Sequence, residues 1–149
     1  MANRATESVS LMRSRMYFVT PSRTGATHFL ELANADGSGR LRLHEGGRLT
    51  TPSWSPDGQR IAFTDDRQGG TAIYLIKADG SERRRLYRGV CCVGTWAAPI
   101  WSPDGMYIAF GVGLLMPDPE QTGIFVMRAD GTELRKLATD VAEVTWQAR

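Results

Sequence analysis

Pro52-Ser53-Trp54-Ser55-Pro56-Asp57-Gly58-Gln59-Arg60-Ile61-Ala62-Phe63 recurs as Pro99-Ile100-Trp101-Ser102-Pro103-Asp104-Gly105-Met106-Tyr107-Ile108-Ala109-Phe110, displaced by 47 residues. A second stretch repeats as well. Ala72-Ile73-Tyr74-Leu75-Ile76-Lys77-Ala78-Asp79-Gly80-Ser81-Glu82 returns as Gly123-Ile124-Phe125-Val126-Met127-Arg128-Ala129-Asp130-Gly131-Thr132-Glu133, displaced by 51 because a longer connection intervenes. A weaker copy is His28-Phe29-Leu30-Glu31-Leu32-Ala33-Asn34-Ala35-Asp36-Gly37-Ser38. A repeat of this length is the mark of stacked units that each bury a face on the next.

Within each unit the residues read as strands joined by turns of recognisable chemistry. Ser55-Pro56-Asp57-Gly58 has the profile of a type I turn: Ser leads, Pro presets φ, Asp suits the third position and Gly closes. Ala78-Asp79-Gly80-Ser81 sets Asp-Gly between two apolar runs, a hairpin signal. Ile61 to Phe63 and Ile73 to Ile76 are nearly continuous in apolar character, which predicts strands covered on both faces. No segment has the period of an amphipathic helix. Four strands per unit, sheets stacked face to face and a period of 45 to 51 residues describe β-propeller blades, an all-β fold of antiparallel strands.

The Trp-Ser-Pro-Asp-Gly, Ile-Ala-Phe and Ala-Asp-Gly-Ser/Thr elements resemble the repeats of the TolB-type (PD40, WD40-like) propeller family, over about residues 16 to 146. The matching residues, Trp54, Pro56, Asp57, Gly58, Asp79, Gly80, Trp101, Pro103, Asp104, Gly105, Asp130, Gly131 and Trp146, belong to turns and packing. The resemblance therefore speaks to fold. The family it points to includes partner-binding modules and non-catalytic domains attached to peptidases.

Strand counting predicts an incomplete ring. Phe18, Phe63 and Phe110 are spaced by 45 and 47, so Met16-Tyr17-Phe18-Val19 aligns with a second strand and the first blade lacks its innermost one. Val141 to Trp146 aligns Trp146 with Trp101 and reads as an innermost strand with no blade after it. The expected organisation is a flexible segment 1–15, the second to fourth strands of blade one at 16–45, blade two at 50–88, blade three at 97–138 and an orphan strand at 141–146. Three blades cannot close, since propellers need about four to eight. Two copies arranged head to tail would complete a six-bladed ring, the number the family resemblance implies, and a homodimer is the expected partner state.

Composition excludes several classes. With 42% apolar and 23% charged residues the chain is an ordinary globular mixture, and a net charge of +2 implies neither nucleic acid nor an anionic membrane. The two cysteines, Cys91 and Cys92, are adjacent, which excludes a disulfide framework and suggests buried thiols. No signal peptide or membrane-spanning run is legible, so a complete chain is expected to be cytoplasmic, and a mature fragment periplasmic or extracellular.

Chemistry-bearing residues are few. His28 and His44 are the only histidines and lack zinc-type spacing; no cofactor or metal is expected. The turn aspartates are explained by turn conformation, and the tryptophans by packing. Arg83-Arg84-Arg85 reads as a charged outer edge, with neighbouring side chains facing opposite ways. No nucleophile-and-base arrangement is found, so catalysis is not expected.

Function is expected on loops at the channel mouth: Thr20 to Thr27, Asp65 to Gly70 and Gly111 to Gln121. The candidate partner-binding residues are Arg23, Asp65, Asp66, Arg67, Leu114, Leu115, Met116, Asp118 and Glu120. The leading expectation is a non-catalytic module binding a protein or peptide. Two alternatives stand beside it: a metal-dependent hydrolase or lactonase with an axial site, and an accessory or truncated half of a larger propeller protein.

Overall fold

In a computed structural model, residues 15–67, 70–89, 93–114, 122–139 and 144–147 are described, and they form strands, turns and loops with no helix. The strands are β1 (Arg15–Pro21), β2 (His28–Asn34), β3 (Leu41–Gly46), β4 (Arg48–Trp54), β5 (Arg60–Arg67), β6 (Gly70–Lys77), β7 (Arg84–Arg88), β8 (Val93–Trp101), β9 (Tyr107–Leu114), β10 (Gly123–Arg128) and β11 (Arg135–Ala138). They make three sheets, β1-β2-β3, β4-β5-β6-β7 and β8-β9-β10-β11, in which every neighbouring pair is antiparallel. Within each sheet consecutive strands are neighbours, so each sheet is a meander.

The apolar runs stack the sheets. Alternate residues of a strand point to opposite faces, and β5 divides accordingly. Ile61 and Phe63 pack with Leu30, Leu32 and Leu49, facing the first sheet; Ala62 packs with Ile108, Phe110 and Met127, facing the third. Ile61, Ala62 and Phe63 are all fully buried. Each of the two large side chains contributes about 1.5–3 kcal/mol by leaving water.

The turns close as their residues predict. Gly58 N donates to Ser55 O at 2.8 Å and Gly105 N to Ser102 O at 2.8 Å. Ser55 Oγ donates to Asp57 Oδ1, which also accepts from Gln59 N at 3.0 Å. Ser102, Asp104 and Met106 N repeat the arrangement. Gly58 and Gly105 adopt φ of +69° and +71°, a region other residues enter only with strain. The Asp-Gly hairpins are wider than a two-residue turn. Six residues, 78–83, separate β6 from β7, because Asp79 Oδ1 accepts from both Ser81 N and Ser81 Oγ and holds the longer loop.

The recurring tryptophans tie sheet to sheet. Trp101 Nε1 donates to Ser53 O of the second sheet at 3.3 Å, and Trp146 Nε1 donates to Ile100 O of the third at 3.2 Å. Trp146 thus sits against the third sheet as Trp101 sits against the second. Residues 144–147 pair with no strand among the described residues, and residues 141–143 lie outside them.

Two of the loops expected to carry function are shorter than their sequence suggests. β5 runs on to Arg67 and β6 begins at Gly70, so Asp65 is a strand residue, 3% exposed, and not a loop residue offered to a partner. Its carboxylate is satisfied by His44 and Gly47, which makes burial tolerable. β9 likewise continues through Leu114, because Gly111 and Val112 pair with Ile124 and Gly123.

Candidate binding site

The connections fall at two ends of the stacked sheets. The Ser-Pro-Asp-Gly and Asp-Gly turns occupy one end. The other carries the β1–β2 loop, the β3–β4 crossover and the β5–β6 turn, none of which repeats in sequence.

At this second end the β1–β2 loop folds on itself. Ser22 N donates to Thr27 O at 2.7 Å, Thr27 N to Ser22 Oγ at 3.2 Å and Gly25 N to Ser22 O at 2.9 Å, leaving Arg23 exposed at the tip. The β3–β4 crossover is a single residue, Gly47, pinned on both sides. His28 Nδ1 donates to Gly47 O at 2.8 Å, and Gly47 N donates to Asp65 Oδ1 at 2.8 Å. Gly46 must be glycine, since a Cβ there would lie 2.8 Å from Asp65 and 2.4 Å from Leu49.

Behind the crossover lies a polar chain of two buried side chains, His44 and Asp65, capped by the exposed Arg83. Arg83 Nη1 can only donate, so His44 Nδ1 accepts from it at 2.9 Å. His44 Nε2 therefore carries the proton and donates to Asp65 Oδ2 at 2.9 Å. His44 and Asp65 are 5% and 3% exposed. With both ring nitrogens and the carboxylate engaged, this chain is a clasp joining the first two sheets.

In front of the crossover lies an open cleft of about 490 Å³, lined by Ala26, Thr27, Glu45, Gly46, Gly47, Arg48 and Asp66. Arg48 and Asp66 are direct cross-strand neighbours. The cleft offers two carboxylates, one guanidinium, a hydroxyl and two glycines that allow close backbone approach, a set suited to polar recognition. Among the described residues no three His, Cys, Asp or Glu side chains converge as metal ligands.

Of the expected site residues, Asp66 lines the cleft, Arg23 stands on the adjoining loop and Asp65 lies buried beneath the floor. The side chains of Arg67 and Leu114, and residues Leu115, Met116, Asp118, Glu120, Cys91 and Cys92, lie outside the described set. Sequence reading missed Glu45, Gly46, Gly47 and Arg48; the signal available was Gly46-Gly47, a crossover too short to repeat elsewhere. The arginine run does more than protect an edge. Arg83 reaches back to His44 of the first sheet, while Arg84 reaches forward to Ala129 O at 2.9 Å and Asp130 O at 3.3 Å of the third.

Comparison with known proteins places these features. The family model described as TolB beta propeller domain matches residues 3–147. The Tol-Pal system protein TolB of Thioalkalivibrio sulfidiphilus is 32% identical over 76 residues, 49% of this chain and 18% of that protein. The uncharacterized peptidase YuxL of Bacillus subtilis is 46% identical over 44 residues, 29% of this chain and 7% of that protein. Among solved structures, TolB from Acinetobacter baumannii superposes with a TM-score of 0.71 at 21% identity, covering 87% of this chain and 32% of that one. The propeller domain of the trilobed protease from Pyrococcus furiosus, described as an open velcro topology, gives 0.63 at 12% identity, covering 86% and 40%. The chain spans less than half the length of each of these relatives.

Proposed function

The chain belongs to the TolB β-propeller family, and from that premise we propose that it is a binding module that takes a protein or peptide ligand at the cleft around Gly47. The observation that carries the reading is convergence. Ala26 and Thr27 of the β1–β2 loop, the crossover glycine Gly47 and Asp66 at the end of β5 meet at the one end whose sequence does not repeat. Irregular loops on a rigid scaffold are where propellers and similar folds place recognition. One relative is a protein of the Tol-Pal system, which supports a protein ligand. Arg23 and Asp66 belong to this surface, and Arg67, Leu114, Leu115, Met116, Asp118 and Glu120 are proposed as further ligand contacts. Two copies complete one ring, each supplying three blades.

The test is selection of binders from a displayed random-peptide library on the wild-type chain. Selected peptides are then titrated against Arg48→Glu, Asp66→Arg and, at the opposite end, Met106→Asp. Loss of roughly tenfold or more in affinity on the first two, with Met106→Asp unchanged, supports the reading. Peptides indifferent to the cleft variants, or a library that yields no binder, overturn it.

A further inference from the structure

The stacking of the three sheets repeats a small set of contacts, and at both outer ends each contact is present by half. The Asp-Gly turns of the second and third sheets each seat a leucine from the outermost strand of the sheet before. A Cβ at Gly80 would meet Leu43 at 3.5 Å, and one at Gly131 would meet Leu86 at 3.3 Å. Leu43, Leu86 and Leu137 share one register position, each preceding the residue opposite Leu30, Ile73 or Ile124. Yet Leu137 is 56% exposed, and a Cβ at Gly37, in the first sheet's own turn, would meet nothing within 4 Å.

Other contacts are split in the same sense. Arg84 donates to the carbonyls of Ala129 and Asp130 in the following turn; Arg135 holds that register position in the third sheet and is exposed. Trp101 and Trp146 each donate to the carbonyl one residue before the preceding tryptophan position. By that rule Trp54 would donate to the carbonyl of Thr145, and among the described residues its indole N–H makes no hydrogen bond. Met16 is 48% exposed, where its equivalents Ile61 and Ile108 are fully buried. Among the described residues β1 is an edge strand.

We infer that the two ends are halves of one interface, closed head to tail by a second copy of this chain. Leu137 seats on Gly37 of the partner subunit, Arg135 reaches the carbonyls of Ala35 and Asp36 of the partner subunit, and the segment at Thr145 pairs with the partner's β1 so that its carbonyl accepts from Trp54 of the partner subunit. This rests on the two-copy ring proposed above and specifies its seam. Each contact invoked has a counterpart the molecule already makes, the leucine seat and the tryptophan hydrogen bond twice each and the arginine bond once, since Leu41 holds the position of Arg84 in the first sheet.

Light scattering after size-exclusion chromatography should give twice 16.4 kDa for the wild-type chain. Leu137→Asp and Arg135→Glu, both at exposed positions, should each raise the dimer dissociation constant roughly tenfold or more, while Met106→Asp leaves it unchanged. Circular dichroism confirms that each variant remains folded. Register is tested separately in a Cys91→Ser, Cys92→Ser background. Ser53 pairs with Ala62 and Ile100 with Ala109, so Thr145 should pair with Tyr17. Such partners lie about 4.5–5.5 Å apart, within reach of a disulfide. A mixture of Tyr17→Cys and Thr145→Cys chains, oxidised by glutathione disulfide, should give a covalent dimer that neither chain gives alone. A wild-type monomer overturns the ring and the seam together. A dimer that ignores both seam variants and forms no mixed disulfide overturns the seam alone and leaves the two-copy ring standing.

Discussion

The interface between the first and second sheets and that between the second and third share one scaffold and differ in chemistry. At the first, His44 lies 5.0 Å from Phe63 and 5.9 Å from Tyr74, with Phe63 and Tyr74 stacked at 5.7 Å. At the second, Tyr87 lies 5.0 Å from Phe110 and 6.4 Å from Phe125, with those two stacked at 5.8 Å. The ring lattice is therefore conserved within the molecule, down to interplanar angles of 19° in both stacked pairs. Around it, His44, Asp65 and Arg83 at the first interface are replaced by Tyr87, Val112 and Leu134 at the second. Three polar positions change together. A buried charge needs all its partners, so partial replacement is unfavourable in either direction. Packing geometry thus belongs to the repeat, whereas the polar clasp is a local addition, and it sits beside the one crossover that lines the cleft.

Exchanging residues between the interfaces tests this. Val112→Asp places a carboxylate at a site 1% exposed, in the apolar cluster of Ile108, Phe110 and Tyr87. It should destabilise by about 3–5 kcal/mol in urea denaturation, the largest effect expected. Asp65→Val strands His44 Nε2–H and Gly47 N–H, and should lose about 2–4 kcal/mol. The triple change His44→Tyr, Asp65→Val, Arg83→Leu installs the second interface at the first and should recover most of that loss. If the triple variant is no more stable than Asp65→Val alone, the two interfaces are not interchangeable and the comparison fails.

The turns sharpen the comparison from the opposite side, because there the sheets do not differ. Ser55→Ala and Ser102→Ala each remove a hydroxyl that bonds an aspartate and accepts a backbone N–H. Each should lose about 1 kcal/mol, and the two losses should agree. Acid titration should show the smallest effect. Hydrogen bonds from Ser38, Ser81 and Thr132 hold the carboxyls of Asp36, Asp79 and Asp130 below the usual aspartate value of 3.8. A carboxyl with a lowered folded-state pKa stabilises above 3.8 and ceases to as pH falls through and below it. Melting temperature should therefore decline modestly below about pH 4, and Asp79→Asn should flatten part of that decline.

How much could be read in advance follows from sequence distance. Ser55 to Arg60 is a six-residue device, and its turn, its hydroxyl and its glycine were all legible. Trp54, Trp101 and Trp146 are legible as packing residues from their spacing, though the hydrogen bonds of Trp101 and Trp146 are not. His44 and Asp65 are 21 residues apart and Arg83 a further 18, and no local pattern links them. One clue existed. Asp65 occupies a strand position that is Val112 in the next repeat, and a charge at a repeat's apolar position demands a partner. The cleft is half legible: the connections at 20–27 and 65–70 can be named in advance but the Gly46-Gly47 crossover cannot, and Asp65 reads as a surface residue because strand ends cannot be fixed from composition where Asp-Asp-Arg extends an apolar run.

The fold family, the stacking of strands covered on both faces and the chemistry of the turns are all written in the order of residues, because they rest on contacts within a few residues or on a regular period. Which polar groups are buried, how His44, Asp65 and Arg83 close on one another, and which of the sheet-to-sheet contacts stand open at the two ends emerge only once the sheets are stacked. Those are properties of surfaces brought together from distant segments, and a side chain's hydrogen-bonding needs are met by whatever the fold sets beside it.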